Sequence, residues 1–288
     1  MRNPLLRKLL SRSCLSQEEQ DALVQARTRV QPVPAHQNLL VEDTVPKHVV
    51  IIERGFACRY RILPDGQRAI IAYLIPGDLC GLNASVLGCL DYSVATLTTC
   101  EVSTIPLQTL DALMTEYPAI EHALRRMKLV DEAILREWLI GMGRRSTDQH
   151  IAHLFCELLV RMRVVGLAIG SSYELPLTQV DLADAVGVSV VHVNRMLQAL
   201  RRVGLIRLEG KRLTIRDLDH LMRFANFQPK YLCIEPEAVA DQCRDEREAG
   251  TRRSPIALDG LVIAQAQRRD QSRARRARAA SSTPIARA

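Results

Sequence analysis

The stretch TQVDLADAVGVSVVHVNRMLQALRRVGLI, residues 178–206, constrains the fold more than any other part of the chain. Apolar residues recur at helical spacing through Val180, Leu182, Ala185 and Val186, stop at Gly187, and resume at Val193, Met196, Leu197 and Leu200. Thr178 with Asp181 three residues on supplies a hydroxyl and a carboxylate for the orphan amides of a helix start. Gly187 can take the positive φ that a short turn between crossed helices needs, and Ser189 offers a cap for the second helix. An ordinary helical hairpin has the same pattern, but the continuation is informative. Leu205 to Leu208 and Arg212 to Ile215 are short β-type runs joined across Glu209-Gly210-Lys211, a hairpin signal. Two helices followed by a small hairpin predict a winged helix-turn-helix. Its second helix turns Val193, Met196, Leu197 and Leu200 to the core and leaves Val190, Val191, His192, Asn194, Arg195, Gln198, Arg201 and Arg202 for other faces.

Ahead of this module the period changes twice. Leu5, Leu6, Leu9 and Leu10, then Ser16 before an acidic first turn, predict two N-terminal helices. In Phe56 to Ile62, the residues Phe56, Cys58, Tyr60 and Ile62 alternate with Ala57, Arg59 and Arg61, as in a strand with one buried face. Pro64-Asp65-Gly66 turns the chain, Ile70 to Ile75 forms a second run ended by Pro76-Gly77-Asp78, and Val94 to Ile105 is rich in Thr and Val. These strands predict a small antiparallel β-barrel or jelly roll. After Pro118 helical spacing returns. Ile120, Met127 and Ile134 stand seven apart, with Leu124 and Trp138 between repeats, so this stripe is expected to pack on a copy of itself, although Asp131 interrupts it. A helix lying on its own sensor domain is the other reading. Gly141 and Gly143 are expected to break the helix as a hinge, and Ser146 to cap the next.

The chain's 288 residues suffice for two domains, and with aromatics at only 4% the cores rest on aliphatic packing. A net charge of +7 permits polyanion binding, but much of it lies in an Arg- and Ala-rich tail expected to be disordered from about residue 245. That tail reads as solvated, with nonspecific DNA contact as the alternative. The eight cysteines are scattered without a CxxC pair, charges interrupt every apolar run at the N-terminus, and no stretch is long enough to cross a bilayer. A reduced cytoplasmic protein without membrane contact is expected.

The order and spacing of three segments, LPDGQRAIIAYLIPGDLCG (Leu63 to Gly81), the helical run after Pro118, and residues 177–206, resemble the Crp/Fnr family of bacterial transcription regulators over roughly Leu39 to Phe227. The resemblance implies an α+β protein. A cyclic-nucleotide-binding-like β-barrel with its N-terminal helices occupies residues 1–117, and a long dimerisation helix and hinge residues 118–143. A C-terminal winged helix-turn-helix follows at 144–227, and an extension at 228–288. It also implies double-stranded DNA, a second copy of the chain and RNA polymerase as partners. Carried over by position, Ser189 falls at a phosphate-contacting cap, Val190 and Val191 at base-reading positions, His192 at a backbone contact with Asn194 beside it, and Arg195 at the arginine that reads guanine. Thr178 and Gln179 at the first helix's start, Gln198, and the wing residues Lys211 and Arg212 complete the expected DNA surface. Arginine suits guanine because its planar fork matches O6 and N7, a pair that discriminates by about 1 to 3 kcal/mol. Val191 departs from the family's glutamate. It cannot accept a hydrogen bond but can pack on a thymine methyl, so a different half-site is expected.

The effector pocket is expected around Tyr60, Tyr73, Gly77, Asp78, Leu79, Cys80, Gly81 and Leu82. Family members that bind cyclic nucleotides use an arginine and a glutamate there. Here Leu82 stands in the glutamate's place and no Lys or Arg occurs between Ala69 and Leu124, which argues against cyclic AMP. A lone N-terminal Cys14 argues against an iron–sulfur cluster of the Fnr type. Haem on His122 or His36, or a redox thiol among Cys58, Cys80, Cys89 and Cys100, stays open. With no Gly-rich phosphate loop, HExxH or nucleophile motif, a non-enzymatic DNA-binding regulator is expected, the alternative being a winged-helix adaptor that contacts protein.

Overall fold

The computed structural model describes residues 3–82 and 88–234. Asn83 of the Gly77 loop, Cys243 and the tail expected to be disordered lie outside the described residues. Two short helices open the chain, α1 (Pro4–Leu10) and α2 (Gln17–Gln25). Asn3 caps the first, and Ser16 with Glu19 forms a reciprocal capping box on the second.

Eight strands follow: β1 (Gln31–Val33), β2 (Asn38–Leu40), β3 (His48–Arg54), β4 (Ala57–Ile62), β5 (Arg68–Leu74), β6 (Leu79–Cys80), β7 (Ser93–Thr96) and β8 (Cys100–Pro106). They form two antiparallel four-stranded sheets, ordered β1-β8-β3-β6 and β2-β7-β4-β5. The expected barrel is therefore an open jelly roll. Closure would require β1 or β6 to pair with β2 or β5, and the edge strands β1 and β6 are only three and two residues long. Val50, Ile52, Ala57, Leu74, Val94 and Val102 form the dry interior.

The simple alternation expected from Phe56 to Ile62 does not hold. Ala57 and Cys58 are both buried, one in the jelly-roll interior and one in a second core that continues into the C-terminal half, while Ile62 is exposed near the hairpin tip. A bulge between Arg59 and Tyr60 resets the register.

After α3 (Leu107–Glu116) comes α4, a 27-residue helix spanning Pro118–Arg144. Two expectations fail on it. Ile120, Leu124, Met127, Ile134 and Trp138 are all buried within the protomer. The first three pack with Leu5, Leu9 and Leu23 of the N-terminal helices, and the last two with Tyr73 and Phe155. The stripe is a core face and is not available to a second copy. Gly141 and Gly143 also lie inside the helix, which ends only at Arg144. Gly141 serves close approach, since a Cβ there would lie 2.7 Å from the His150 ring.

The next helix, α5 (Thr147–Val164), starts at the expected Ser146, which forms a capping box with Gln149. It is buried along almost its whole length and forms the spine of the second core. Around it lie β9 (Ala168–Ile169), β10 (Ser172–Glu174), α6 (Gln179–Val186), α7 (Val190–Arg202), β11 (Ile206–Glu209), β12 (Arg212–Ile215), α8 (Leu218–Phe224) and a 3₁₀ turn, Pro229–Leu232. The strands form an antiparallel sheet ordered β11-β12-β10-β9.

Candidate nucleic-acid interface

Helices α6 and α7 form around the signals expected of them. Thr178 Oγ1 accepts from the Asp181 amide at 3.1 Å while Asp181 Oδ2 accepts from the Thr178 amide at 2.9 Å. Gly187 ends α6 in the left-handed region at φ 71°, and Ser189 then caps α7 by accepting from the His192 amide. The turn is short because glycine carries no Cβ to strain it there.

One face of α7 is core: Val193, Leu197 and Leu200 are buried. The opposite face is exposed at Ser189, Val190, Val191, Arg195 and Gln198, with His192 and Asn194 half-buried. Val191 is 71% exposed, so its branched side chain is free to meet an apolar group outside the protein. The polar side chains on this face are pre-linked. Asn194 Nδ2 donates to Gln179 Oε1 at 3.0 Å, Gln198 Nε2 donates to Asn194 Oδ1 at 2.8 Å, and Arg195 Nη2 lies 3.1 Å from His192 Nδ1. Gln179 at the start of α6 is thereby tied to α7. Lys211 and Arg212 are exposed on the β11-β12 wing, whose tight loop uses Gly210 at φ 55°. All eleven residues expected to face DNA, the exposed Thr178 and Gln179 among them, are on solvent-accessible parts of this module.

The eight residues expected to form an effector pocket do not converge. Tyr73 points out of the jelly roll: its hydroxyl donates to the Asp181 carbonyl at 2.8 Å and its ring meets Trp138 edge-on at 5.6 Å. Tyr60 donates to Asn38 Oδ1 at the sheet surface. Leu79 and Leu82 belong to the core shared with the N-terminal helices, Cys80 belongs to the jelly-roll interior, and Gly81 backs onto Leu40. Gly77 has φ 87° and meets the Pro4 carbonyl, which leaves no space there for a ligand.

Asp78 is buried and fully engaged. It accepts from the Ile75 amide at 2.7 Å and from Arg161 Nη2 at 3.0 Å, and pairs with Lys8 Nζ. Burial pushes the Lys8 pKa well below the ordinary lysine value. A third cation reaches the same region from β4. Arg59 donates to the Leu79 carbonyl at 3.3 Å and to Asp131 Oδ2 at 2.9 Å, with Tyr92 under its guanidinium. The absence of a cation between Ala69 and Leu124 in sequence is thus offset by Lys8, Arg59 and Arg161 in space. These cations are committed to Asp78 and Asp131, and sequence spacing could not have revealed that.

The thiols of Cys58, Cys80 and Cys100 are buried, and burial raises all three pKa values, Cys58 to about 12. They are poor nucleophiles in this state. Cys89 is exposed, as is His36 in the turn after β1; His122 is exposed on α4, where it lines an open cavity with Arg12, Ser13 and Arg126.

A jelly roll joined through a long helix to a winged helix-turn-helix, with one polar helix face exposed, is the architecture of a DNA-binding protein. The cyclic nucleotide-binding domain family matches residues 30–117, and the Crp-like helix-turn-helix domain family matches residues 149–224. The chain belongs to the Crp/Fnr family and is a DNA-binding transcription regulator. It is 28% identical over 176 residues to a probable transcriptional activator of Rhizobium leguminosarum bv. viciae, covering 60% of this chain and 71% of that one. It is also 28% identical to the transcriptional activator protein FnrL of Cereibacter sphaeroides, over 58% of this chain and 68% of that one. The solved structure of FixK2 from Bradyrhizobium japonicum superposes with a TM-score of 0.62 at 21% identity, over 68% of this chain and 96% of that one. Among the described residues no helix is long and apolar enough to cross a membrane.

Proposed function

We propose that the protein works in the cytoplasm as a homodimer that sets two copies of α7 into successive major grooves of a near-palindromic site, with half-site centres roughly 34 to 36 Å apart. It acts by binding, not catalysis, and works with RNA polymerase under a signal received through its N-terminal half. The observation that carries this reading is the exposed face of α7, where Val191 stands clear of the protein beside the Arg195–His192 pair while the other face is held in the core. Arg195 reads guanine, Val191 packs on a thymine methyl, and Ser189, Gln179, Thr178, His192, Asn194, Gln198, Lys211 and Arg212 contact backbone or bases around them.

The dimer forms on the outward face of α4, where Leu129, Leu135, Leu139, Ile140 and Met142 are all exposed in the protomer. These side chains are exposed while Ile120, Leu124, Met127, Ile134 and Trp138 of the same helix are buried, so one helix serves the core and a partner at once.

Selection from random DNA tests the reading. Recovered sites should be palindromic, with an A·T pair where family members with a glutamate at this position read otherwise. Arg195→Ala should lose sequence preference while the fold is retained. Equal specificity in that variant, or no sequence preference in the parent, would instead favour a protein-binding adaptor.

A further inference from the structure

Helix α1 is seven residues long, yet it and the residues just after it touch both halves of the protein. Leu5 and Leu9 are buried in one core with Val49 and Ile51 of β3 and Ile120 and Leu124 of α4. Three nearby cations reach toward the C-terminal half. Arg7 Nη1 donates to the Val165 carbonyl, just past the end of α5, at 3.2 Å. Lys8 pairs with Asp78, which in turn accepts from Arg161 Nη2 of α5 at 3.0 Å. Arg12 Nε donates to the Leu232 carbonyl in the 3₁₀ turn at 2.9 Å.

Two glycines admit this helix. A Cβ on Gly77, in the turn between β5 and β6, would lie 2.6 Å from the Pro4 carbonyl oxygen, and one on Gly166, in the turn between α5 and β9, would fall on Arg7 Nη1. Helix α1 therefore fits against a turn of the jelly roll and a turn of the module that carries α7. These contacts are made on other elements than those gripped by β5. Arg68 and Tyr73 hold α6, whereas Arg7 and Arg12 hold the end of α5 and the 3₁₀ turn. A module held at one element can turn about it; one held at three is fixed in orientation.

We propose that Arg7, admitted by Gly166, is a positioning residue for DNA binding: through α1 it fixes the angle at which α7 is presented, and so sets the half-site spacing that the dimer accepts. Two modules held rigidly lose little freedom on binding together, but only on a site whose spacing suits them. This role rests on the homodimer reading above.

The test measures binding of the full chain to three duplexes: the palindromic site recovered by selection, that site with one base pair inserted at its centre, and a duplex with a single half-site. The insertion moves the half-sites apart by about 3.4 Å and turns one against the other by about 35°. The parent should bind the lengthened site about tenfold more weakly or worse. Arg7→Met keeps an apolar stem and removes the donor, and Gly166→Asn puts a Cβ in the guanidinium's place with a residue that tolerates positive φ. In each variant the spacing penalty should shrink to about threefold and the selected site should bind several-fold more weakly, while the single half-site binds as in the parent. Both substitutions break the same contact, so the double variant should be no worse than either alone. Val94→Ala, a cavity in the jelly-roll interior, lowers stability without touching α1 and should leave the spacing penalty unchanged. A penalty that Arg7→Met and Gly166→Asn both retain, or that Val94→Ala relaxes equally, would overturn the positioning role alone. A parent that binds the selected and lengthened sites alike would refute the dimer reading and the spacing role with it.

Discussion

Arg68 on β5 donates from Nη2 to Asp181 Oδ1 on α6 at 2.7 Å, across 113 positions of sequence. The other carboxylate oxygen of Asp181 accepts from both the amide and the hydroxyl of Thr178. One side chain therefore caps the first helix of the DNA-binding motif and anchors it to the jelly roll. Arg68 Nε makes a second bond, to Asp184 Oδ2 at 2.7 Å, one turn further along. Burial opposes the Arg68 charge, but the two carboxylates more than offset it and raise its pKa.

Arg68→Ala should cost about 1 to 2 kcal/mol, less than a deeply buried pair because the side chain is 26% exposed. Asp181 keeps its Thr178 partners, so α6 should still form. Urea denaturation checks the loss. Arg68→Lys should recover only part of it, since one ammonium cannot make the forked contact. An unchanged midpoint in Arg68→Ala would mean that the bridge adds nothing to stability.

The exposed face of α4 gives a second expectation. Leu139 is 70% exposed and Ile134, one and a half turns earlier, is 6% exposed. Leu139→Asp should leave the protomer folded and shift its mass in light scattering from dimer to monomer. Ile134→Asp should lower the melting temperature sharply whatever the association state, because it places a charge in a packed core. A Leu139→Asp protein that remains dimeric would move the contact elsewhere.

These two residues also show what could be read in the chain and what could not. Caps and turns were legible because their physics is local: Thr178 with Asp181, Ser146, Gly187 and the Gly210 loop all fall where the sequence places them. The apolar period of α4 correctly marked a buried face at Ile120, Leu124, Met127, Ile134 and Trp138, but periodicity does not say what covers a face. The N-terminal helices, α5 and Tyr73 cover it here. The effector residues were misplaced for the same reason. Nothing near Tyr73 or Asp78 in sequence signals that Asp181, Lys8 and Arg161 come to meet them.

Two buried histidines on α5 should make stability fall on mild acidification. Burial, with the charge of Arg145, depresses His150 to about 4 and His153 to about 3. The folded protein keeps both rings neutral, while the unfolded chain takes up protons near pH 6.5. Their contribution is therefore complete above about pH 6.5 and is lost as pH falls toward 4, at up to about 1.4 kcal/mol per histidine per pH unit. Glu157 acts with the opposite sign. Burial raises its pKa, so its protonation relieves the folded state and flattens the fall where it titrates. His153 packs against the rings of Phe227 and Tyr231, at centroid distances of 5.0 and 6.0 Å, so His153→Phe keeps an aromatic there and removes one titrating group. Urea midpoints from pH 7.5 to 5.5 should drop less steeply in the variant; an identical slope would rule His153 out.

Gly141 and Gly143 sit two residues apart in one helix and should respond to alanine with opposite signs. In an exposed helix interior, alanine is favoured over glycine by about 0.5 to 1 kcal/mol, because glycine loses more backbone freedom on folding. Gly143 is exposed and nothing lies within 4 Å of where its Cβ would be, so Gly143→Ala should stabilise by about that amount. Gly141 is buried, and its Cβ would fall 2.7 Å from both Cδ2 and Nε2 of His150. That ring is 5% exposed and packed edge-on against Trp138, so it cannot swing away as a flexible surface chain would. Gly141→Ala should therefore lose about 1 to 3 kcal/mol through overpacking, despite the better helix propensity. If the pair acted as a hinge between sensor and DNA-binding module, both substitutions would stiffen it alike and both would shift DNA affinity. Opposite shifts in melting temperature, with DNA affinity unmoved in Gly143→Ala, would instead establish that α4 is continuous to Arg144 and that Gly141 exists to admit the helix that follows.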